Sequence, residues 1–441
     1  MRYVSLAPLC LAALLSGQST VLFQSDFEAG VTLSAPRVAG SQWWQDLAGA
    51  EVGGHRWPDD LPAAGAEFQF QVGPAAAPTA AELAKYVENR LDPVVGPYGA
   101  PSTALYLAVA QDDPGFLGTS RTNYLIYSDS ANTLEEAYCR VWLKLQPDLD
   151  AVLSPSGWRV VAEWMEQGTA APPNGIDYRV TLFVLGRSSA AAPFWRLQAE
   201  QVLPTRTVVW SIDNRAVPVP AGEWFELELD WKRSTGADGR YWVAVDGVVV
   251  FEHLGPNMKD SALKSFQPFK CYTGTNSLAR GLAYQWIDGF ELRDARPAAR
   301  RYGCGVNPPG SLTLLSGEPV LGTTFTLGVD DPLGTQSAGA IPLLMLAWLA
   351  DPALPCGTLL PGFGMGGRGA AGELLLWPQT LLGPPLIGQI AGVGPAAFPV
   401  PLALEPALHN LALRAQGGLV DPATGAAVPV GLTDGLVLIM R

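Results

Sequence analysis

Alternation of apolar and polar residues over short segments is the feature that most constrains the fold of this 441-residue chain. In Cys139–Leu145 and Phe225–Trp231 every second side chain is apolar, which is the period of a β-strand with one buried face. Turn pairs such as Asp246-Gly247 separate the segments, and both residues of such a pair tolerate the positive φ of a hairpin. Many short strands joined by short turns predict an all-β protein of packed antiparallel sheets.

Only Thr79–Leu91 has the features of a helix. Thr79 followed by Glu82 forms a capping box, and Asp92-Pro93 would end the helix. The rest of the chain is interpreted as strands and turns.

The composition changes near Arg296-Pro297, because lysine is absent after this point and charged residues become sparse. We therefore expect a large N-terminal sandwich at 20–296, a linker at 297–303 and a smaller C-terminal β-sandwich at 304–441. The C-terminal domain is interpreted as an accessory module for cell-surface attachment, spacing or association. The alternative is a packing module without a ligand of its own.

The first 19 residues have the layout of a secretory signal peptide. Arg2 supplies a positive charge, Val4–Leu15 is apolar, and the small residues of Ser16–Ser19 follow. The apolar run is too short to span a bilayer, which takes roughly 20 residues. We expect a secreted or cell-surface protein without a membrane span.

The net charge of −13 argues against a nucleic-acid partner, because nucleic-acid binders carry basic patches. It is compatible with an anionic sugar polymer, since a local basic cluster can act within an acidic protein. An extracellular polysaccharide is therefore the expected partner. No cofactor is expected: calcium is common in such sandwiches, but no dense carboxylate loop indicates it here.

Four cysteines follow the signal segment: Cys139, Cys271, Cys304 and Cys356. In an exported chain they permit disulfides with three possible pairings. Their spacing favours one pair per domain, Cys139 with Cys271 and Cys304 with Cys356. The alternative for the first pair is two buried thiols.

Three segments resemble the concanavalin A-like lectin/glucanase superfamily: Gly222–Trp231, Gly236–Val250 and Tyr284–Leu292. The first two are similar to a strand that ends in Trp and a following "W-V-D-G" hairpin, and the third is similar to the superfamily's last strand. The resemblance covers about residues 20–295. It implies a jelly-roll sandwich, a fold that serves lectins, hydrolases and lyases alike.

Within that superfamily the chain looks most like jelly-roll polysaccharide lyases of the alginate and heparin type. Pro268–Gly274 is similar to their "Y-F-K-x-G-x-Y" strand, and Tyr138–Lys144 is similar to an arginine-bearing strand. Tyr272 follows Lys270 by two residues instead of four. The lyases' "Q-[IV]-H" strand has no counterpart, because Trp158–Met165 contains no histidine.

The two lyase-like strands supply the candidate catalytic residues Arg140, Lys270 and Tyr272. If Cys139 and Cys271 meet across strands, these three side chains lie together on the other face of one sheet. Arg140 and Lys270 would neutralise a uronate carboxylate, and Tyr272 would take the C5 proton or return one to the leaving oxygen. Candidate substrate-binding residues on the same strands and on the Trp158–Met165 strand are Tyr138, Trp142, Lys144, Arg159 and Glu163.

Three functions follow from these residues. The first is a secreted polysaccharide lyase that cleaves an anionic polysaccharide by β-elimination. The second is a carbohydrate-binding or adhesion protein without catalysis. The third is a glycoside hydrolase using Glu226, Glu228 and Asp230, although a retaining hydrolase needs two carboxyls ~5 Å apart and these are interpreted as a solvated outer face.

Overall fold

The structure is a computed structural model that describes residues 19–28, 30–39, 42–51, 53–57, 59–60, 67–71, 79–84, 87–110, 121–128, 134–153, 157–167, 176–186, 192–201, 205–259, 263–274, 282–389 and 394–441. The predicted signal segment, at 1–18, lies outside them. Two compact units divide the chain, one at Thr20–Arg296 and one that contains Pro297–Arg441.

Within the described residues, the first unit consists of strands and two short helices. These are β1 (Val21–Ser25), β2 (Val31–Leu33), β3 (Arg37–Ala39), β4 (Gln42–Gln45), β5 (Leu47–Ala50), β6 (Arg56–Trp57), β7 (Glu67–Gln71), α1 (Ala80–Leu83), β8 (Val87–Val95), β9 (Pro101–Ala110), β10 (Arg121–Ser128), β11 (Glu136–Leu145), α2 (Leu149–Leu153), β12 (Trp158–Gln167), β13 (Ile176–Leu185), β14 (Phe194–Gln201), β15 (Thr207–Asn214), β16 (Trp224–Lys232), β17 (Arg240–Val245), β18 (Val248–Leu254), β19 (Leu263–Gly274) and β20 (Leu282–Arg293).

Two large antiparallel sheets contain most of these strands. Sheet I has the order β18-β17-β16-β11-β20-β9-β8, and β1 also pairs with β20. Sheet II has the order β15-β14-β13-β12-β19-β10-β7-β4-β3. A small sheet, β2-β5-β6, completes the unit within the described residues. The predicted all-β jelly-roll sandwich is confirmed.

The core of the unit lies between the inner faces of sheets I and II. Sheet I contributes alternate residues of β11 and β16, and sheet II contributes alternate residues of β13 and β14. They include Cys139, Val141, Leu143, Leu227, Leu229, Val180, Leu182 and Leu197. The period-two pattern read from the sequence therefore gives the inner face of these strands correctly.

The predicted helix at Thr79–Leu91 is mostly wrong. Of the residues described in this range, those of α1 are helical, and the residues from Val87 onward form β8, which pairs with β9 from Val87 to Val95. Asp92-Pro93 lies within this strand. Proline fits there because β8 is at the edge of sheet I, where one side of a strand needs no ladder hydrogen bonds. Sheet pairing outweighs the local capping signal here.

The β17–β18 hairpin turns at Asp246 and Gly247, as predicted. Their φ angles are 50° and 71°, the positive values that a two-residue turn of this type requires. Asp238-Gly239 lies in the longer loop of the β16–β17 hairpin, whose two strands pair antiparallel. Gly239 is needed there for close approach, because a Cβ would lie 2.2 Å from the carbonyl oxygen of Gly255.

The second unit continues the all-β pattern. Its strands are β21 (Arg300–Tyr302), β22 (Leu312–Ser316), β23 (Thr324–Val329), β24 (Ile341–Ala347), β25 (Thr358–Pro361), β26 (Ala371–Leu374), β27 (Leu386–Ile387), β28 (Ala396–Pro401), β29 (Ala412–Val420) and β30 (Val430–Ile439), with 3₁₀ helices at Pro378–Thr380 and Pro406–Leu408.

One sheet of this unit runs β21-β30-β29-β24-β27, a second runs β22-β23-β28, and β25 pairs with β26. Residues Arg300–Tyr302, interpreted from sequence as linker, form β21 and pair with β30. Cys304 and Cys356 form a disulfide, so this predicted pair is confirmed. None of the helices among the described residues has the length and apolarity to cross a membrane.

Candidate functional site

The structure separates the predicted catalytic residues. Arg140 lies on β11 of sheet I, whereas Lys270 and Tyr272 lie on β19 of sheet II. Both Arg140 and Lys270 alternate with core residues, so each side chain is directed to the outer face of its own sheet. The predicted convergence of Arg140 with Lys270 is wrong, because the sequence pattern fixes the face of a strand and not its neighbours.

The predicted disulfide between Cys139 and Cys271 is wrong for the same reason. The two residues lie on opposing sheets, and both are free, buried thiols of the core. Cys271 Sγ accepts a hydrogen bond from Arg159 at 3.3 Å. Burial raises the pKa of each thiol, so both remain protonated and unreactive.

Lys270 forms a buried ion pair on the outer face of sheet II. Its ammonium contacts Glu163 on the adjacent strand β12, and the two side chains are 2% and 0% exposed. Glu163 also accepts from Arg179 Nη1 at 3.2 Å and from Thr181 Oγ1 at 3.3 Å. Two neighbouring strands thus hold this carboxylate in place.

Charges of alternating sign continue from this pair across the sheet. Arg179 Nε donates to Glu200 on β14 at 2.6 Å, and Arg206 Nη2 donates to the same carboxylate at 3.0 Å. Burial opposes ionisation of Glu200, but the two arginines outweigh it and hold its pKa below the usual value. We call Lys270, Glu163, Arg179, Glu200 and Arg206 the charge row; its three cations outnumber its two carboxylates.

The backbone of Tyr272 is part of β19, while its side chain lies outside the described residues. Strand β10 runs beside β19, with Asn123 opposite Lys270 and Arg121 opposite Tyr272. An arginine-bearing strand therefore does lie next to the Lys270 strand, but it is β10 and not β11.

Arg159, predicted to bind substrate, points into the core instead. It is fully buried and donates to Gln285 Oε1 at 2.7 Å and to Gln146 Oε1 at 3.1 Å. The cause is a register shift in β12 between Val160 and Ala162. One extra residue in a strand reverses the faces beyond it, so Arg159 and Glu163 lie on opposite sides of sheet II.

The predicted aromatic and cationic surface of β11 lies on the outer face of sheet I, but most of it is covered. Tyr138 is fully buried and donates to Glu228 Oε2 at 2.5 Å. Trp142 is 4% exposed and packs edge-on against Tyr98, with ring centroids 5.7 Å apart. Of the four residues predicted for this surface, Arg140 and Lys144 remain partly exposed.

The carboxylates of β16 are on the outer face of sheet I, as expected, but they are not solvated. Glu226 lies 3.9 Å from Arg140 Nε, and Asp230 accepts from Arg240 Nε at 2.6 Å. Together with Glu228 they are at most 4% exposed. Each contacts a cation or a hydroxyl group, and this arrangement offers no open acid–nucleophile pair.

A pocket of about 360 Å³ opens beside Arg140 and Trp142. It forms where β20 changes partner, because Leu282–Ile287 pairs with β9 and Phe290–Arg293 pairs with β1. Gly289 lies between these segments with φ of 55°, and a Cβ there would lie 2.8 Å from Trp142. The carboxylates of Asp26, Glu28, Asp288 and Glu291 line the pocket.

The hydroxyl of Ser102 bridges two of these carboxylates as a shared donor, 2.8 Å from Glu28 Oε1 and 2.9 Å from Asp288 Oδ2. Burial raises the pKa of Asp288 to about 6. Burial and then Glu28 also raise the pKa of Asp26. The pocket is therefore an acidic environment, unlike the charge row.

Among the described residues, one group has metal-ligand types close enough to hold an ion: Cys304, Cys356 and Glu373. The two cysteines are joined in a disulfide and supply no thiolate. Glu373 instead accepts from the backbone amides of Gly357 and Cys304 at 2.7 and 3.0 Å. The donor set does not fit a metal site.

Arg179, Glu200 and Arg206 were not predicted as site residues. The alternation in Tyr178–Leu182 and Phe194–Gln201 places Arg179 and Glu200 on the polar face of their strands, so this signal was present. What the sequence lacks is the order of strands in sheet II, which brings them next to Glu163 and Lys270.

Neither a family model nor a curated protein sequence matches this chain. Solved structures similar to it include the endo-β-1,4-glucuronan lyase from the fungus Trichoderma reesei, with 14% identity over 51% of this chain and 94% of that chain and a TM-score of 0.35. The alginate lyase vAL-1 from Chlorella virus has 8% identity over 47% of this chain and 89% of that chain, with a TM-score of 0.31.

A third similar structure is the CBM2 module of the evolved Dit of Lactobacillus casei BL23 phage J-1, with 11% identity over 63% of this chain and 98% of that chain and a TM-score of 0.27. The solved structures similar to this chain thus include polysaccharide lyases, the class that its sequence resembles.

Proposed function

We propose that the protein is a secreted polysaccharide lyase whose site is the outer face of sheet II around Lys270. The observation that carries this proposal is the buried ion pair of Lys270 with Glu163 on the face opposite the core. Burying two ions costs several kcal/mol each, and only part is regained from their attraction. Ionisable groups held buried in this way are concentrated at functional sites.

The substrate class follows from the charge row. Three cations and two carboxylates leave one positive charge, which attracts an anionic polymer. Arg206 is the most accessible member, with 61% of its side chain exposed. A carboxylate or sulfate group of the polymer can pair with its guanidinium.

In the proposed reaction Lys270 neutralises the carboxylate of a uronate, which makes the C5 proton more acidic. Tyr272, two residues along the same strand, takes that proton. The electron pair forms the C4–C5 double bond, the C4–O bond breaks, and Tyr272 returns the proton to the leaving oxygen. Glu163 holds the ammonium of Lys270 in position, and Arg179 holds Glu163.

The test is an assay for unsaturated products with alginate, polyglucuronate, hyaluronate, chondroitin sulfate and heparin, followed by ultraviolet absorbance and mass spectrometry. We expect the protein to cleave at least one polymer and Tyr272→Phe to lower kcat by about 100-fold or more, the usual contribution of a general base. Arg196→Ala is the control, because Arg196 lies on β14 of the same sheet and pairs with Asp213 at 2.6 Å. Full activity of Tyr272→Phe on every cleaved polymer would overturn the mechanism.

A second candidate function is polysaccharide binding without cleavage. It is favoured by the fact that the ammonium of Lys270 already has a carboxylate partner in Glu163. The same polymers distinguish the two functions. Retention of the protein by a polymer from which no unsaturated product forms selects binding.

A further inference from the structure

A row of side chains crosses five strands on the outer face of sheet I, the sheet that does not carry Lys270. Trp224 and Trp286 lie directly opposite Lys144 on its two sides, Tyr106 lies opposite Trp286, and Arg90 lies opposite Tyr106. Directly opposed residues point to the same face. With strands ~4.8 Å apart, the row is roughly 19 Å long.

The two tryptophans are held by their ring nitrogens. Trp224 Nε1 donates to the carbonyl of Val95, and Trp286 Nε1 donates to Asp92 Oδ2, both at 2.8 Å. Both side chains are half-buried, so part of each ring is accessible. Because the polar edge of each indole already has a partner, what the rings offer to a ligand is their apolar faces.

Lys144 lies between the two tryptophans and is itself partly exposed. Its ammonium forms no ion pair or hydrogen bond anywhere in the described part of the chain. Two carboxylates on adjoining segments, Asp92 and Asp148, already have partners. Asp92 is paired with Arg90 at 3.1 Å, and Asp148 accepts from Gln146 at 3.0 Å. A positive charge flanked by two aromatic rings is therefore left for a ligand.

At the other end of the row, Tyr106 is 5% exposed and is covered by the guanidinium of Arg90, 3.8 Å from the ring centroid. Tyr284, on the same side of β20 as Trp286, is half-buried and meets Trp286 edge-on at 5.2 Å. Arg90 is itself 40% exposed, but its guanidinium is paired with Glu88 and Asp92. The accessible side chains without such ion pairs are therefore Trp224, Lys144 and Trp286 of the row, with Tyr284 beside them.

We propose that Trp224, Lys144 and Trp286 form a second binding surface for an anionic polysaccharide, separate from the proposed catalytic face. Lys144 would pair with a carboxylate or sulfate, and sugar rings would lie on the indole faces of the neighbouring strands. Only the class of ligand rests on the proposed function. This surface holds polymer and has no part in bond cleavage.

The binding test measures Kd for alginate, polyglucuronate and chondroitin sulfate by affinity electrophoresis, with a neutral β-glucan for comparison. Lys144→Ala is expected to weaken binding to at least one of the anionic polymers about tenfold, the usual worth of a hydrogen bond to a charged group. Lys144→Arg should retain the affinity. Lys232→Ala is the matched control, because Lys232 is on the same face of sheet I and pairs with Asp238 at 3.4 Å.

Trp224→Leu tests the contribution of the indole rings independently of Lys144. It should also weaken binding about tenfold. Thermal unfolding and circular dichroism identify any variant that is simply unfolded. Affinities of Lys144→Ala and Trp224→Leu equal to that of the unaltered protein would overturn the proposal, as would the absence of binding to all three anionic polymers.

The outcomes separate this proposal from the proposed function. Binding that depends on Lys144, with no unsaturated product from any polymer, supports the second surface and contradicts the lyase. If unsaturated product forms and Lys144→Ala binds with unchanged affinity, the lyase is supported and the second surface is contradicted. If the protein both cleaves a polymer and binds it at this surface, Lys144→Ala should raise the KM for the long polymer.

Discussion

At the scale of single residues, Asp288 is a buried acid in the pocket beside Arg140. It is 5% exposed, and burial raises its pKa to about 6 from 3.8, although Ser102 and the amide of Gly289 hydrogen-bond to it. Between these two pH values the folded protein binds a proton at Asp288 that the unfolded chain has released. Stability contributed by this group is present below about pH 4 and is lost as the pH rises through about 6.

Asp288→Asn should therefore stabilise the first unit at neutral pH. The amide keeps the shape of the protonated acid and does not ionise, so the gain should appear between about pH 4 and 6 and stay constant above. Its size is on the order of 3 kcal/mol, since the pKa rises from 3.8 to about 6 and one pKa unit corresponds to about 1.4 kcal/mol. Urea unfolding at several pH values measures it. Asp59→Asn, at an exposed carboxylate, is the control, and a pH-independent difference for Asp288→Asn would contradict the prediction.

Side-chain directions could be predicted where the strand was regular. Cys139, Val141 and Leu143 face the core, as period two requires. Arg159 could not be predicted, because the register shift in β12 has no signature in the sequence pattern. Lys270 was correctly placed on an outer face, but its partner Glu163 was found only in the folded chain.

At the scale of elements, most strands of the first unit could be predicted from alternation, and their pairing could not. Strands β11 and β19 look equally suited to one sheet, yet β11 lies between β16 and β20 while β19 lies between β12 and β10. Partner choice in a sheet depends on contacts far apart in sequence. The predicted grouping of Arg140 with Lys270 and Tyr272 was wrong because the strands were assigned to one sheet, although the outer faces of Arg140 and Lys270 were predicted correctly.

Gly239 and Gly236 provide a matched test of close packing in the β16–β17 loop. A Cβ at Gly239 would lie 2.2 Å from the backbone oxygen of Gly255, whereas a Cβ at Gly236 would meet a side-chain oxygen of Asp238 at 3.3 Å. Gly239→Ala should cost about 1–3 kcal/mol because backbone must move. Gly236→Ala should stay within about 0.5 kcal/mol. Denaturant unfolding compares them, and equal costs would be inconsistent with the packing described.

At the scale of the whole molecule, the change in composition near Arg296-Pro297 coincides with the division of the chain into two compact units. A boundary of this kind is visible in sequence because each unit has its own core, and the two cores here differ in composition. The core of the second unit is rich in leucine, with Leu327, Leu413 and Leu438 fully or nearly fully buried.

Reduction should destabilise the second unit alone, because its disulfide joins Cys304 and Cys356 while Cys139 and Cys271 of the first unit are free. The bridge closes a loop with a sequence separation of 52, for which chain entropy gives about 4 kcal/mol. Calorimetry of Cys304→Ser/Cys356→Ser should show one transition lowered and the other unchanged. Cys139→Ala is the control for removal of a thiol, and a shift of both transitions on reduction would contradict the assignment.

Strands β1 and β20 lie side by side, with Val21 opposite Arg293, and the backbone amide of Asp294 donates to the carbonyl of Thr20 at 3.2 Å. The first and last strands of this unit are therefore neighbours, and its N- and C-terminal ends lie close together. Its original ends could be joined by a short peptide and new ones opened at an exposed turn such as Asp246-Gly247. The same geometry would let the unit be grafted into a surface loop of an unrelated carrier protein.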